Sequence, residues 1–160
     1  MEEVKLHWYA LKVFWRRTEP LKDMFDERGV EYYAQSILPS YMFVRLDEKG
    51  IEKLRAECFG KLYVYADLKT KKPTVVPDRE LEIFRIVCSS GDTGLEFLDD
   101  DPSKYRKGDK VRVIDGPFKG AEGYVVRIKK DRRLVVTISG VAAIATSYIP
   151  QELLEKVTDC

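Results

Sequence analysis

The sequence predicts an α+β chain in two parts: a split βαβ antiparallel sheet carrying helices, then a small β-barrel. Three observations predict it. Segments of period two and period 3.6 alternate in the order β-α-β-β-α-β, followed by a helix, up to residue 88. A polar stretch holding Gly91, Gly94 and Pro102 comes next. From Lys107 onward the helical period disappears, and short valine-rich runs punctuated by glycine replace it. The expected division is an α+β domain over 1–90, a linker over 91–104 and a barrel over 105–160.

The elements follow in order. His7 to Phe14 alternates and is rich in aromatic and β-branched residues, which predicts a strand. Thr18 caps a helix that tolerates Pro20 in its first turn, and Gly29 stands where a helix end favours a left-handed residue. Strands are expected over 32–37 and 41–46, joined by Leu38-Pro39-Ser40. A short helix over 51–57 precedes a strand over 62–66, a polar hairpin tip over 67–72 and a strand over 74–76. Asp78 then caps a helix with Leu81, Phe84, Val87 and Cys88 on one face. Barrel strands are expected over 110–114, 121–129, 134–139 and 141–145.

Composition narrows the function classes. Apolar residues make up 44% of the 160, enough for a core, and no run approaches the length of a membrane span. The opening residues lack a basic and apolar leader. Cys58, Cys88 and Cys160 are odd in number and far apart, which is no disulfide framework. A cytoplasmic monomer is expected. The net charge of +1 hides an asymmetry: residues 1–98 carry 16 basic and 17 acidic side chains, whereas 104–157 carry 12 and 6. A near-neutral part joined to a basic part implies different partners.

Alternation along the strands suggests where one partner sits. Met42, Val44 and Leu46 point one way, Tyr41, Phe43 and Arg45 the other; Tyr9, Leu11 and Val13 oppose Trp8, Ala10, Lys12 and Phe14. The aliphatic set suits a helical cover of Leu21, Met24, Phe25 and Phe84. Trp8, Phe14, Tyr41, Phe43 and either Tyr63 or Tyr65 are then left on the opposite face or its margin, unless the last helix or the loops fold over them. An exposed patch of such rings marks a binding surface. The segment Tyr41–Leu46 overlaps in part the strand signature of RNA-recognition sheets, but Ser40, Met42 and Leu46 depart from it. The near-neutral charge also withholds phosphate attraction, so another protein is the favoured occupant.

The most specific string runs from Lys107 to Gly120, Lys-Gly-Asp-Lys-Val-Arg-Val-Ile-Asp-Gly-Pro-Phe-Lys-Gly, and continues as Ala-Glu-Gly-Tyr-Val-Val-Arg to Arg127. It reads as strand, tight turn and strand, with Gly116 permitting the turn, Pro117 stiffening it, and Gly120 and Gly123 allowing close approach at a corner. It resembles the KOW motif of SH3-like barrels found in NusG-type factors and certain ribosomal proteins. Trp8-Tyr9-Ala10-Leu11 and Leu38-Pro39-Ser40-Tyr41-Met42-Phe43-Val44 are similar to the two strand motifs of the NusG N-terminal domain, so the resemblance spans Leu6 to Val157. It implies a non-catalytic elongation or antitermination factor whose first domain holds the clamp helices of RNA polymerase through Phe14, Trp15, Tyr41, Phe43 and Tyr63. It also implies a barrel that recruits a second partner through Phe118, Ile138 and Val141.

Departures from that family qualify the second contact. The family's Phe-Gly-Arg segment, which meets a small-subunit ribosomal protein and the Rho terminator, reads here Ile138-Ser139-Gly140-Val141-Ala142-Ala143. The connection between the second and third strands is short, and Pro73 to Leu81 resembles the specialised paralogues (UpxY-like) that promote read-through of capsular-polysaccharide operons. In some paralogues the barrel refolds into helices; the β-branched density from Val111 to Ile138 disfavours that here.

Lys129, Lys130, Arg132 and Arg133 form a basic turn expected to touch nascent RNA or DNA. An RNA-binding module of translation or ribosome assembly is the alternative function. His7 is the single histidine, and Asp99–Asp101 reads as a solvated linker run, so no metal, cofactor or catalytic residue is expected.

Overall fold

The computed structural model describes residues 5–14, 18–35, 40–98, 101–128, 130–138 and 140–157. The chain forms two compact units, Met1–Pro77 and Asp78–Cys160. The last helix therefore belongs with the second unit and not with a first domain ending near residue 90.

The first unit holds β1 (His7–Val13), α1 (Thr18–Arg28), β2 (Glu31–Tyr33), β3 (Tyr41–Leu46), α2 (Glu48–Glu57), β4 (Leu62–Val64) and β5 (Val75–Val76). Its antiparallel sheet runs β2-β3-β1-β4, with β5 on the same edge of β1 as β4, which is the split βαβ order. The α1 helix stops where Gly29 takes φ +67°. The amide of Gly29 then donates to Asp26 and that of Val30 to Phe25, a Schellman closure that only a residue at ease in the left-handed region permits. The α2 helix begins earlier than its apolar period suggests, because Asp47 accepts from the Gly50 amide at 2.8 Å. One core cluster joins Tyr9, Leu11, Val13, Met42, Val44, Leu62 and Val64 of the sheet to Leu21, Phe25, Ile51 and Leu54 of the helices. The aliphatic face is thus covered by α1 and α2.

The second unit holds α3 (Asp78–Cys88), β6 (Glu96–Leu98), a 3-10 turn (Pro102–Tyr105), β7 (Lys110–Val113), β8 (Glu122–Ile128), β9 (Asp131–Ile138), β10 (Ala142–Tyr148), a second 3-10 turn (Gln151–Leu153) and β11 (Leu154–Lys156). Its strands pair antiparallel in the order β11-β7-β8-β9-β10-β6. This is the SH3-like barrel sheet expected of the second part, extended at both edges. The stretch read as linker is structured: Leu98 pairs with Ala143, and Leu98 and Tyr105 pack with Val126, Val135, Ala143 and Ala145. Its polarity misled because only two apolar side chains in it are needed to cover that face.

Gly123 has a steric reason to be glycine. An added Cβ would stand 2.2 Å from the Val135 carbonyl oxygen. In β10 the register shifts between Ala145 and Tyr148. There the buried Thr146 hydroxyl accepts from the Leu134 amide and donates to the Ser147 carbonyl, replacing a backbone partner that the bulge removes.

Candidate functional site

The register of the first sheet fixes which rings are neighbours. Lys12 on β1 stands opposite Tyr41 on β3 and opposite Tyr63 on β4, so the three share one row on the face away from α1 and α2. The next row pairs Tyr33, Phe43 and Ala10. Tyr65 joins through its amide, which donates to the Ala10 carbonyl. Ring packing ties the rows together: Tyr41 stacks on Tyr65 with centroids 6.0 Å apart, Tyr63 meets Tyr65 edge-on at 5.3 Å, and Tyr33 lies 6.3 Å from Phe43.

The pleat sorts aliphatic from aromatic side chains as expected, but exposure is a different matter. Phe43 is 1% exposed and Tyr41 9%, and Trp8 is buried too. The expectation that Tyr41 and Phe43 lie open to solvent is corrected. Alternation assigns a side chain to a face and says nothing of what fills the space above it, and rings this large also shield one another. The exposed members are Phe14, at 37%, and Tyr63, at 43%. Trp15 lies outside the described residues. The candidate site is therefore two accessible rings on the same sheet face as buried Tyr41 and Phe43, with Lys12 between two tyrosines.

In the barrel unit, the residues expected to meet a second partner are all buried: Phe118, Ile138 and Val141. Ile138 closes the end of β9 with its carbonyl accepting from the Val141 amide, so both serve the turn. Phe118 differs, because it lines an apolar pocket of about 310 Å³ with Val113, Pro117, Tyr148, Ile149 and Leu153. Tyr148 is exposed at its mouth. Asp92 borders the same pocket. Burial alone would raise its pKa, yet the Gly94 and Ser147 amides that donate to it hold it below the usual carboxylate range. Tyr148, Ile149 and Leu153 were missed because they lie beyond the KOW string, around a bulge and a 3-10 turn.

The basic turn is partly as expected. Lys130 and Arg132 are exposed, while Arg133 is drawn inward by a 2.9 Å bond to Glu96. Lys129 lies outside the described residues. Register adds a residue that spacing alone does not show: Arg127 stands directly opposite Arg132, and both are exposed. Like charges across a ladder repel, and an anion placed between them would relieve the cost.

Glu122 is the other electrostatic node. Arg79 from α3 and Arg112 from β7 both bond its carboxylate, with Lys110 at 3.7 Å. Burial pushes its pKa up, but the Arg112 and Arg79 hydrogen bonds outweigh it and hold the pKa below the ordinary glutamate value. The cleft it borders holds only about 40 Å³ and is lined by no histidine, cysteine or serine, so the arrangement reads as a clamp between α3 and the barrel sheet. Among the described residues no three acidic, histidine or cysteine side chains gather in a way that could hold a metal, and no helix is long and apolar enough to cross a membrane.

Comparison with known proteins adds the following. The KOW motif model matches residues 107–139. A curated relative, the transcription termination/antitermination protein NusG of Thermus thermophilus, is 26% identical over 133 residues, covering 77% of this chain and 70% of the relative. A solved structure of Thermotoga maritima NusG, described for its domain interaction, superposes with a TM-score of 0.51 at 19% identity over 96% of this chain and 98% of that one. That likeness concerns the fold.

Proposed function

We propose that the chain is a factor of the NusG type, a reading that its KOW match and its similarity to the curated relative support: a cytoplasmic transcription elongation and antitermination factor that grips RNA polymerase with its first unit and recruits a second partner with its barrel. The observation that carries the reading is the pair of accessible rings, Phe14 and Tyr63, on the sheet face opposite α1 and α2, with Tyr63 edge-on to Tyr65 of the Tyr41–Tyr65 stack. Two rings held by a rigid layer beneath lose little entropy on docking, as suits an anchor for paired helices of a partner. In this arrangement Tyr63 and Phe14 make the contact, with Trp15 beside them in sequence, and Tyr41 and Phe43 support it from below.

Truncating a central aromatic anchor commonly costs about 2 kcal/mol, or roughly thirtyfold in affinity. The variant carrying Phe14→Ala and Tyr63→Ala is therefore expected to bind purified RNA polymerase at least about thirtyfold more weakly. Its circular dichroism should match the parent. An unchanged dissociation constant would remove the docking proposal.

For the barrel, the pocket beside Phe118 suits an apolar side chain of a protein partner, and Arg127, Lys130 and Arg132 suit nucleic-acid phosphates. With Ile138 to Ala143 in place of the family's Phe-Gly-Arg segment, a small-subunit ribosomal protein or Rho would have to be read through the pocket instead. Action on capsular-polysaccharide operons rests on Pro73 to Leu81; deletion of the gene should then shorten those transcripts selectively. The opposed arginines also favour a second reading, an RNA-binding module of translation or ribosome assembly. It predicts tight, salt-sensitive RNA binding with no polymerase in a pull-down, whereas the first predicts that polymerase subunits dominate.

A further inference from the structure

The hairpin tip of the first unit, Asp67 to Lys72, is absorbed by neither contact described so far. It is closed by an antiparallel bridge between Ala66 and Pro73. The Asp67 carboxylate accepts from the amides of Lys69 at 2.8 Å and Thr70 at 3.0 Å. The backbone of Asp67 also exchanges bonds with its neighbours: its amide donates to the Lys72 carbonyl and its carbonyl accepts from the Lys71 amide. Arg55 reaches over from α2 to the Lys71 carbonyl at 3.0 Å, and Lys71 itself holds φ +63°. The turn is thus fixed from within and from α2, with its one acidic side chain spent on backbone amides.

What it presents is unusual for a solvated loop. Lys69, Lys71 and Lys72 are exposed, and among the described residues no carboxylate pairs with them. Leu68, on the same turn, is 82% exposed. A lone exposed leucine is ordinary. A leucine fixed beside three unpaired ammonium groups is a different surface, since lysines and an apolar wedge together are how proteins meet a phosphate backbone and the sugars or base steps next to it.

We propose that this turn is a second nucleic-acid contact, separate from the basic turn of the barrel, in which Lys69, Lys71 and Lys72 neutralise backbone phosphates and Leu68 packs on the sugar or base edge between them. A nucleic acid is favoured over an acidic protein surface because one polymer supplies closely spaced phosphates to all three lysines at once. The pre-set backbone of the turn leaves only side chains to be ordered in that encounter.

The test uses the full chain and fluorescence anisotropy, with a labelled DNA duplex and a single-stranded RNA of equal length across a salt series. The triple variant Lys69→Gln, Lys71→Asn, Lys72→Gln keeps the left-handed position tolerable, since asparagine accepts positive φ. It is expected to weaken binding at low salt by about tenfold or more and to flatten the salt slope by about 2 to 3 on duplex DNA. Leu68→Ala should weaken binding about threefold with no change in slope, as an apolar contact releases no counterions. Loss confined to one probe supports the proposal and identifies which nucleic acid the turn meets. A triple variant with parental affinity and slope on both probes would overturn the proposal, as would an equal loss on a polyglutamate probe, which would indicate generic anion attraction.

Discussion

Both sheets bury their central strands on two sides, and they do so with different material. In the first, β1 and β3 place aliphatic groups against α1 and α2 and rings on the reverse face. In the second, β9 and β10 use valine, leucine, isoleucine and alanine on both sides. Rings are wide relative to the strand spacing, so a ring-filled face overflows at its edges, and Phe14 and Tyr63 are left accessible. Small branched residues close up along the middle of β9 and β10, and the large exposed hydrophobic side chains, Ile114 and Tyr148, stand at strand ends. The exposed groups that the second unit offers are in its loops and at its strand ends, such as Lys130, Arg132 and Tyr148. Burial of the same completeness leaves different side chains accessible in the two sheets.

The comparison breaks first on Phe43. If the aromatic face is structural under its rim, Phe43→Ala should cost about 3–5 kcal/mol of stability, read by denaturant midpoint. A variant of parental stability would mean the ring is a docking group after all. For the second sheet the matching probe is Gly123→Ala. With a carbonyl 2.2 Å from the new Cβ, strand β8 must move off β9, at a cost of about 3 kcal/mol.

Glu122 sharpens the contrast in ion pairing. Glu122→Gln should cost about 1–3 kcal/mol at neutral pH, because two guanidinium groups lose a charged acceptor. Its pKa is depressed in the folded state. The contribution is therefore present above the ordinary glutamate pKa of about 4.3 and lost as pH falls through the lower folded value. Thermal unfolding across that range should show the parent's advantage over the variant vanish on the acid side. The smallest effect is expected at the helix start in the first unit, where Asp47→Ala removes one cap and about 1 kcal/mol.

The sequence made some of this legible and hid the rest for reasons that can be named. The pleat of β1 and β3 could be read because six consecutive residues alternate chemically, and Gly29 because a helix end needs a left-handed residue. β6 and β11 could not, since three-residue edge strands such as Glu96-Phe97-Leu98 have no room for a period and exist only through their neighbours. Tyr41 and Phe43 were rightly assigned to a face and wrongly assigned to solvent, since cover is a tertiary property. Phe118 emerged from a motif, whereas Tyr148 and Leu153 gather beside it only after β10 has bent. Arg127 appears next to Arg132 only once the ladder's register is known.

That register shift has a consequence for how β10 is aligned. With the Thr146 hydroxyl standing in for a main-chain partner, the strand before it and the strand after it are keyed to β9 separately. A change of length after Tyr148 is then expected to leave Ala142 to Ala145 aligned with β9.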